Sequence, residues 1–391
     1  MRFVVLGTGL VGNAIVRDLA GDPGNEVLAV DRHQAALDNL GALERVEKVC
    51  ADIQEPGLAA SLLNHADVVV SAVPGCLGFE TLSEILSVGK PVVDISFFPE
   101  DPFQLDGLAR EKGVTAVVDC GVAPGLCNIL AGYVESLLDH VDRYVCYVGG
   151  LPKRREWPFE YKAVFSPADV LEEYTRPVHL LEYGQEVVRP ALSEVELLDF
   201  PGIGTLEAFN TDGLRTLRKT IRAPFMTEKT LRYPGHARLI SVLKKGGFFR
   251  TTPVDVNGCS VIPMELTAAL LREKWRLEPG EEDLTVMKVI LEGRKGAKGY
   301  RYTFDLLDTY DQETQTTSMA RTTGYTCAIV ARWIADGFYQ GRGICPPEYL
   351  GRHRPSYENL LREYEKRHII IEETVEEFDF SAISPDPGSR S

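Results

Sequence analysis

Apolar positions in this chain follow two rhythms in succession. Up to Cys120, short unbroken apolar runs alternate with stretches whose apolar residues recur at helical spacing. The runs are Arg2–Leu6, Glu26–Val30, Lys48–Ile53, Ala66–Val73, Lys90–Ser96 and Thr115–Cys120. Between them Asn13–Ala20, Leu58–Asn64, Glu80–Gly89 and Leu105–Gly113 carry the helical pattern. Such alternation predicts a doubly wound parallel sheet of the Rossmann type, with a helix after each strand.

From Gly121 the rhythm lengthens. A helix begins at Val122–Asn128 and runs toward His140, and the apolar runs that follow are longer and more strand-like: Val141–Val148, Tyr161–Phe165, Val195–Asp199 and Thr205–Phe209. Ser166, Pro167 and Asp169 have the cap, first-turn proline and acidic residue of a helix start. Pro279-Gly280 is an exposed turn, and Leu284–Gly293 and Tyr300–Asp308 pair as a hairpin across the Gly/Lys-rich turn Arg294–Gly299. Met319–Phe338 reads as one long helix ended by Gly341 and Gly343, of the kind that returns to cover a nucleotide-binding sheet. The expected organisation is α/β: a Rossmann domain over residues 1–125, an α+β catalytic and dimerisation domain with a mostly antiparallel sheet over 126–318, a returning helix over 319–350, and a basic helix and disordered tail over 351–391.

The first turn carries the first chemical signal. Gly7-Thr8-Gly9-Leu10-Val11-Gly12 lies between a strand and a helix, where Gly7 permits the tight turn, Gly9 lets a pyrophosphate approach the backbone, and Gly12 lets helix and strand pack closely. The helix N-terminus then offers N–H groups and a positive dipole end to phosphate. Asp31 follows about twenty residues later, placed to accept adenosine ribose hydroxyls and to repel a 2′-phosphate. NAD is therefore expected in preference to NADP, with Arg32 leaving room for the latter. Strand ends at Asp52, Ile53, Ala72, Val73, Pro74 and Asp94 should border the same cofactor.

Composition removes other classes. The 391 residues carry a formal net charge of −15, which argues against nucleic acid or an anionic membrane as partner. No apolar run approaches the roughly twenty residues that cross a bilayer. Eight cysteines without a CxxC pair suit reduced thiols in a cytoplasm and no metal site.

Four later segments are more specific: Asp119-Cys-Gly-Val-Ala-Pro-Gly-Leu-Cys-Asn128, Glu207-Ala-Phe-Asn-Thr-Asp-Gly-Leu-Arg-Thr-Leu217, Thr230-Leu-Arg-Tyr-Pro-Gly-His236 and Met319-Ala-Arg-Thr-Thr-Gly324. In their order and spacing, together with the glycine turn, they resemble the saccharopine dehydrogenase family, and most closely its lysine 6-dehydrogenase branch. The resemblance implies a split dinucleotide-binding domain, a homodimer, and NAD(P)-dependent oxidation of an amine carbon on a lysine-derived amino acid. For the lysine 6-dehydrogenase branch it implies conversion of L-lysine to 2-aminoadipate 6-semialdehyde, which cyclises to a piperideine carboxylate. Saccharopine dehydrogenase (glutamate-forming) and carboxynorspermidine dehydrogenase are the alternatives, and an NAD(H)-sensing regulator is the non-enzymatic one.

Within those segments Asp119 and Asp212 are candidates to attract an ammonium, and Asn128, Asn210 and Thr211 to hydrogen-bond amino or carboxylate groups. Arg232 is the candidate carboxylate clamp, because a planar guanidinium binds carboxylate bidentately. Tyr233 and His236 are candidates to orient the substrate or move protons. Cys120 reads as a packing residue, Lys162 as a solvated lysine, and Lys153-Arg154-Arg155, Arg215, Arg218 and Arg222 as a solvated face. The general base stays unassigned, since proximity to the reacting nitrogen is a three-dimensional fact.

Overall fold

Six apolar runs become six parallel strands: β1 (Arg2–Leu6), β2 (Glu26–Asp31), β3 (Val46–Cys50), β4 (Val68–Ser71), β5 (Val92–Asp94) and β6 (Thr115–Val117). Every residue of β4, β5 and β6 is buried, as expected where helices cover both faces of a parallel sheet. The computed structural model describes residues 1–379 apart from Pro56, Ser166 and Pro279. The expected cap at Ser166, half of the turn at Pro279-Gly280 and the tail beyond Asp379 therefore lie outside the described residues.

The second unit is built from β7 (His140–Pro152), β8 (Val178–Glu182), β9 (Gln185–Arg189), β10 (Glu196–Phe200), β11 (Gly204–Asn210) and β12 (Phe225–Arg232). After a small hairpin of β13 (Val254–Val256) and β14 (Cys259–Val261), the long hairpin β15 (Asp283–Lys295) and β16 (Lys298–Thr309) completes most of its sheet. Pairing is antiparallel throughout except between β7 and β12.

Two strands come from the C-terminal region, where the sequence suggested helices alone. β17 (Gly343–Cys345) pairs parallel with β6, giving the first sheet the order β17-β6-β5-β4-β1-β2-β3. β18 (Ile371–Asp379) adds antiparallel to β16 and is a charged, exposed edge, with Glu376 reaching Arg301 and Glu377 reaching Lys298. A further difference concerns Tyr161–Phe165. It forms only an isolated bridge from Ala163 to Arg276, and its apolar character comes instead from burial against Tyr174 and Trp275.

The helix Ser318–Ala335 ties the two units together. Its first N–H groups, those of Ser318 and Met319, donate to the Asp283 carboxylate at 2.7 and 3.0 Å, and the Ser318 hydroxyl donates to Asp308 at 2.7 Å. Farther along it lies on the helix Leu10–Ala20, close enough that a Cβ on Gly324 would stand 3.2 Å from the Ile15 side chain. At its far end Arg332 pairs with Asp18 and Asp22. Among the described residues no helix is long and apolar enough to cross a membrane.

The helix Leu126–Leu137 meets the helix Pro347–Arg352 just as closely, since a Cβ on Gly132 would fall 2.0 Å from the Glu348 carbonyl oxygen. Backbone cannot yield as a side chain can. Gly132→Ala should destabilise the protein by about 1–3 kcal/mol or more, as overpacking does. Gly24→Ala, where a Cβ meets nothing within 4 Å, should leave the thermal midpoint unchanged in the same melting experiment.

Candidate functional site

A cleft of about 520 Å³ opens where the C-terminal ends of β1, β2, β4 and β5 face β7, β12 and the helix Pro167–Glu173. Ligands of open α/β sheets bind at this end of the strands. Its two halves differ in character.

The first half is the glycine turn and the adjoining strand ends. Gly7 has φ +90°, and a Cβ there would press 2.5 Å from the Ala72 carbonyl oxygen. At Gly12 a Cβ would fall 2.0 Å from the Gly7 oxygen. Gly9 is different: it lines the cleft, yet a Cβ there would meet nothing within 4 Å. Protein packing requires the first two glycines; only a close ligand requires the third. The helix Leu10–Ala20 starts at this point with no side chain capping it, so its first N–H groups remain for an anion. These residues fit a dinucleotide pyrophosphate.

Leu10, Val11, Asp31, Arg32, Asp52, Ile53, Ala72, Val73 and Pro74 also line this half. Thr8 and Asp94 lie beneath it. Thr8 is buried, and its N–H and hydroxyl donate to Asp31 Oδ2 at 2.8 and 3.2 Å. The His33 N–H donates to Oδ1 at 2.9 Å, which leaves that oxygen able to accept once more. Asp94 is fully buried and accepts from the Ser96 N–H and hydroxyl. Burial pushes its pKa up to about 7, against the pull of those hydrogen bonds. It shapes the turn that presents Ile95, Ser96 and Phe97 to the cleft.

The second half is polar on a single strand face. Glu228, Thr230 and Arg232 alternate along β12 and all line the cleft, beside Glu173, Arg176 and Thr211–Gly213. Arg232 Nη2 donates to Glu173 at 3.0 Å, its guanidinium stacks 4.4 Å over the Tyr161 ring, and its buried Nε has no partner among the described residues. Arg176 donates to Glu172 and to the Phe97 carbonyl, lies 4.7 Å over the Phe97 ring, and likewise keeps a buried Nη1 without a partner. Two arginines thus line one pocket, a setting that suits a carboxylate.

Three carboxyl groups accompany them. Asp212 is held by the His179 N–H and ring Nδ1, both at 3.0 Å. Glu173 is paired with Arg232. Glu228 is buried, its Oε2 has no partner among the described residues, and its carboxyl fills the space beside Gly213, where a Cβ would fall 1.0 Å from that oxygen. Burial, followed by the neighbouring Cys127, Glu173 and Asp212, pushes the Glu228 pKa well above the usual carboxylate range.

Of the residues singled out for catalysis, Asp212, Thr211 and Arg232 are brought together here. The others do not line the cleft and have their hydrogen-bond partners elsewhere. Asp119 is buried under Arg215, whose Nε reaches both its oxygens at 3.1 and 3.2 Å while Nη1 donates to the Phe98 carbonyl. Asn128 accepts from the Gly125 N–H and donates to Glu348, which fixes a helix start. Asn210 donates to Ser193 and Glu194, and the Tyr233 hydroxyl to the Pro152 carbonyl. His236 lies between the Phe159 carbonyl and the Tyr174 hydroxyl, and burial together with the Arg232 charge pushes its pKa down to about 3. It is neutral at physiological pH.

Glu173, Arg176 and Glu228 were missed. For Glu228 a signal existed: the motif Thr230-Leu-Arg232, carried two residues back along a strand, places a third polar group on the same face. Glu173 and Arg176 reach the cleft through tertiary packing and have no such signal. The cationic runs do not line it; Arg218 pairs with Glu186 and Lys153 with Glu282.

Comparison with known proteins agrees with this architecture. The family of saccharopine dehydrogenase NADP binding domains matches residues 3–117, and that of the saccharopine dehydrogenase C-terminal domains residues 121–370. The chain is 24% identical to the mitochondrial alpha-aminoadipic semialdehyde synthase of Bos taurus over 93% of its own length, and spans 47% of that longer protein. It is 22% identical to the saccharopine dehydrogenase [NADP(+), L-glutamate-forming] of Pyricularia oryzae, covering 92% of this chain and 96% of the other. Among solved structures, apo saccharopine dehydrogenase (L-Glu forming) from Saccharomyces cerevisiae shares the fold with a TM-score of 0.77 at 18% identity, over 96% of this chain and 99% of that one.

The three glycines should respond differently to substitution. Gly9→Val should leave the thermal midpoint near that of the parent protein and weaken dinucleotide binding at least about tenfold by filling the phosphate space. Gly12→Ala should lower the midpoint itself. Differential scanning fluorimetry with and without NADH separates the two effects.

Proposed function

The chain belongs to the saccharopine dehydrogenase family of oxidoreductases, and from that premise we propose that it oxidises the 6-amino carbon of L-lysine with NAD, and that water hydrolyses the resulting imine to ammonia and 2-aminoadipate 6-semialdehyde. The observation that carries this reading is the charge set at the second half of the cleft. Arg176 and Arg232 face Glu173, Asp212 and Glu228, so acids outnumber bases. Lysine, with one carboxylate and two ammonium groups, complements such a set. Saccharopine carries three carboxylates, and among the described residues no further lysine or arginine lines this half to receive them.

When bound, the nicotinamide ring supplies the hydride acceptor. The chain's own residues do the rest. The guanidinium groups of Arg176 and Arg232 hold the substrate carboxylate, and the arginines are themselves fixed by Glu172, the Phe97 carbonyl and Glu173. Asp212, held by His179, attracts an ammonium. Hydride loss needs an unprotonated nitrogen, because only a lone pair can form the carbon–nitrogen double bond. The apolar lining from Val148, Phe165 and Met319 strengthens these electrostatic contacts by keeping the local dielectric low. At the other end Asp31 Oδ1 accepts a ribose hydroxyl, and its charge disfavours a 2′-phosphate, hence NAD rather than NADP.

Reduction of NAD and of NADP should be followed with L-lysine, saccharopine and carboxynorspermidine as substrates. Turnover of lysine with NAD is expected to lead; preferential turnover of either other amine overturns the substrate assignment, and preference for NADP overturns the cofactor assignment. Arg232→Lys, which loses the planar fork, should raise KM for lysine about ten- to hundredfold and leave NADH binding unchanged.

A further inference from the structure

Amine oxidation needs a group to take one proton from the substrate ammonium, and the cleft offers few. Asp31 and Asp52 stand in the glycine half, among the strand ends. In the other half Glu173 is ion-paired with Arg232, and Asp212 is bound by two nitrogens of His179. His236, Tyr233 and Asp119 have their hydrogen bonds elsewhere, and Lys162 pairs with Glu281. Glu228 remains: a buried carboxyl on the cleft wall with an oxygen that meets no donor among the described residues.

We infer that Glu228 is the general base that removes a proton from the 6-ammonium of the substrate. The inference rests on the proposal of a lysine-like amine as substrate and adds the group that makes that amine reactive. In the step, one N–H bond breaks and an O–H bond forms at the Glu228 carboxylate. The nitrogen keeps the bonding pair, and an ammonium and a carboxylate become a neutral amine and a neutral acid. The released pair is then free to form the iminium as hydride departs to NAD.

Its surroundings suit the task. An ordinary carboxylate is too weak a base for an ammonium, and proton transfer becomes easier as the two affinities approach each other. Around Glu228 stand Glu173 from the helix Pro167–Glu173, Asp212 after β11, Cys127 from the helix Leu126–Leu137, and Tyr144 and Cys146 from β7, with Arg232 farther along its own strand. Burial and the acidic neighbours raise its proton affinity, while the Thr211 hydroxyl favours the charged form. Gly213 gives the carboxyl its room, since any side chain there would occupy the same space.

A carboxyl raised in this way is protonated at low pH and becomes a base only as pH increases. The kcat/KM for lysine should therefore climb with pH along an acidic limb set by Glu228. Glu228→Gln should lower kcat about 10²- to 10⁴-fold, remove that limb, and leave NADH binding within about threefold of the parent protein. Gly213→Ala should lower kcat by displacing the same group, and Glu228→Asp should give a reduced kcat with a displaced limb. A Gln variant with near-parental kcat, or one that keeps the limb, overturns the inference. Should the Gln protein fail to fold, the Asp variant decides: a displaced limb supports the role, and a parental profile overturns it. If the parent enzyme does not oxidise lysine while oxidising another amine, the substrate reading falls and the same comparison on that amine tests Glu228 independently.

Discussion

The contact on which this architecture most depends is made by Asp283. It is a buried carboxylate in the second sheet, and it accepts the first two free N–H groups of the helix Ser318–Ala335. Desolvation pushes its pKa up, and those hydrogen bonds and Arg321 oppose that rise. A helix N-terminus also favours a negative charge. This cap fixes where the chain leaves the second sheet, and so where Met319 and Thr323 enter the cleft and where Gly324 settles on the first helix. The cleft has two halves from two units, and one capped helix start sets their relation.

A similar principle governs the polar half. Arg232 is sealed between an aromatic ring and a carboxylate, and Tyr161, Tyr174, His236 and Trp275 form a continuous aromatic cluster around it. A guanidinium in this position has little freedom left to lose when it meets a carboxylate. Preorganisation of that sort converts more of each contact into binding. His236 has its part here as a neutral, hydrogen-bonded member of the wall.

Much of this was legible in the sequence, and the limits have physical causes. The first sheet was readable because its strands are buried on both faces and so appear as unbroken apolar runs. The glycine turn was readable because Gly7, Gly9 and Gly12 each answer a distinct steric demand within a few residues. β17 escaped notice because three residues between glycine and proline carry almost no periodicity, and β18 because an acidic edge strand resembles a solvated tail. In the polar half, motif membership pointed to segments that reach the cleft but not to all of the side chains that line it. Asn128 and Tyr233 sit in those motifs to fix backbone, while Arg176, outside every motif, reaches the cleft.

The pairing of β17 with β6 and the double embrace of Asp18 by Arg332 and Arg367 have a consequence for biosynthesis. A chain leaving the ribosome presents its first six parallel strands long before Gly343–Cys345 and Arg367 have been made. Until then the far edge of the sheet at β6 has no neighbouring strand, and Asp18 has neither arginine. Contacts between such distant parts of a chain slow folding and prolong the exposure of unpaired edges. Loss of the C-terminal segment would therefore reach into the first domain, leaving the β6 edge without β17 and Asp18 without Arg367.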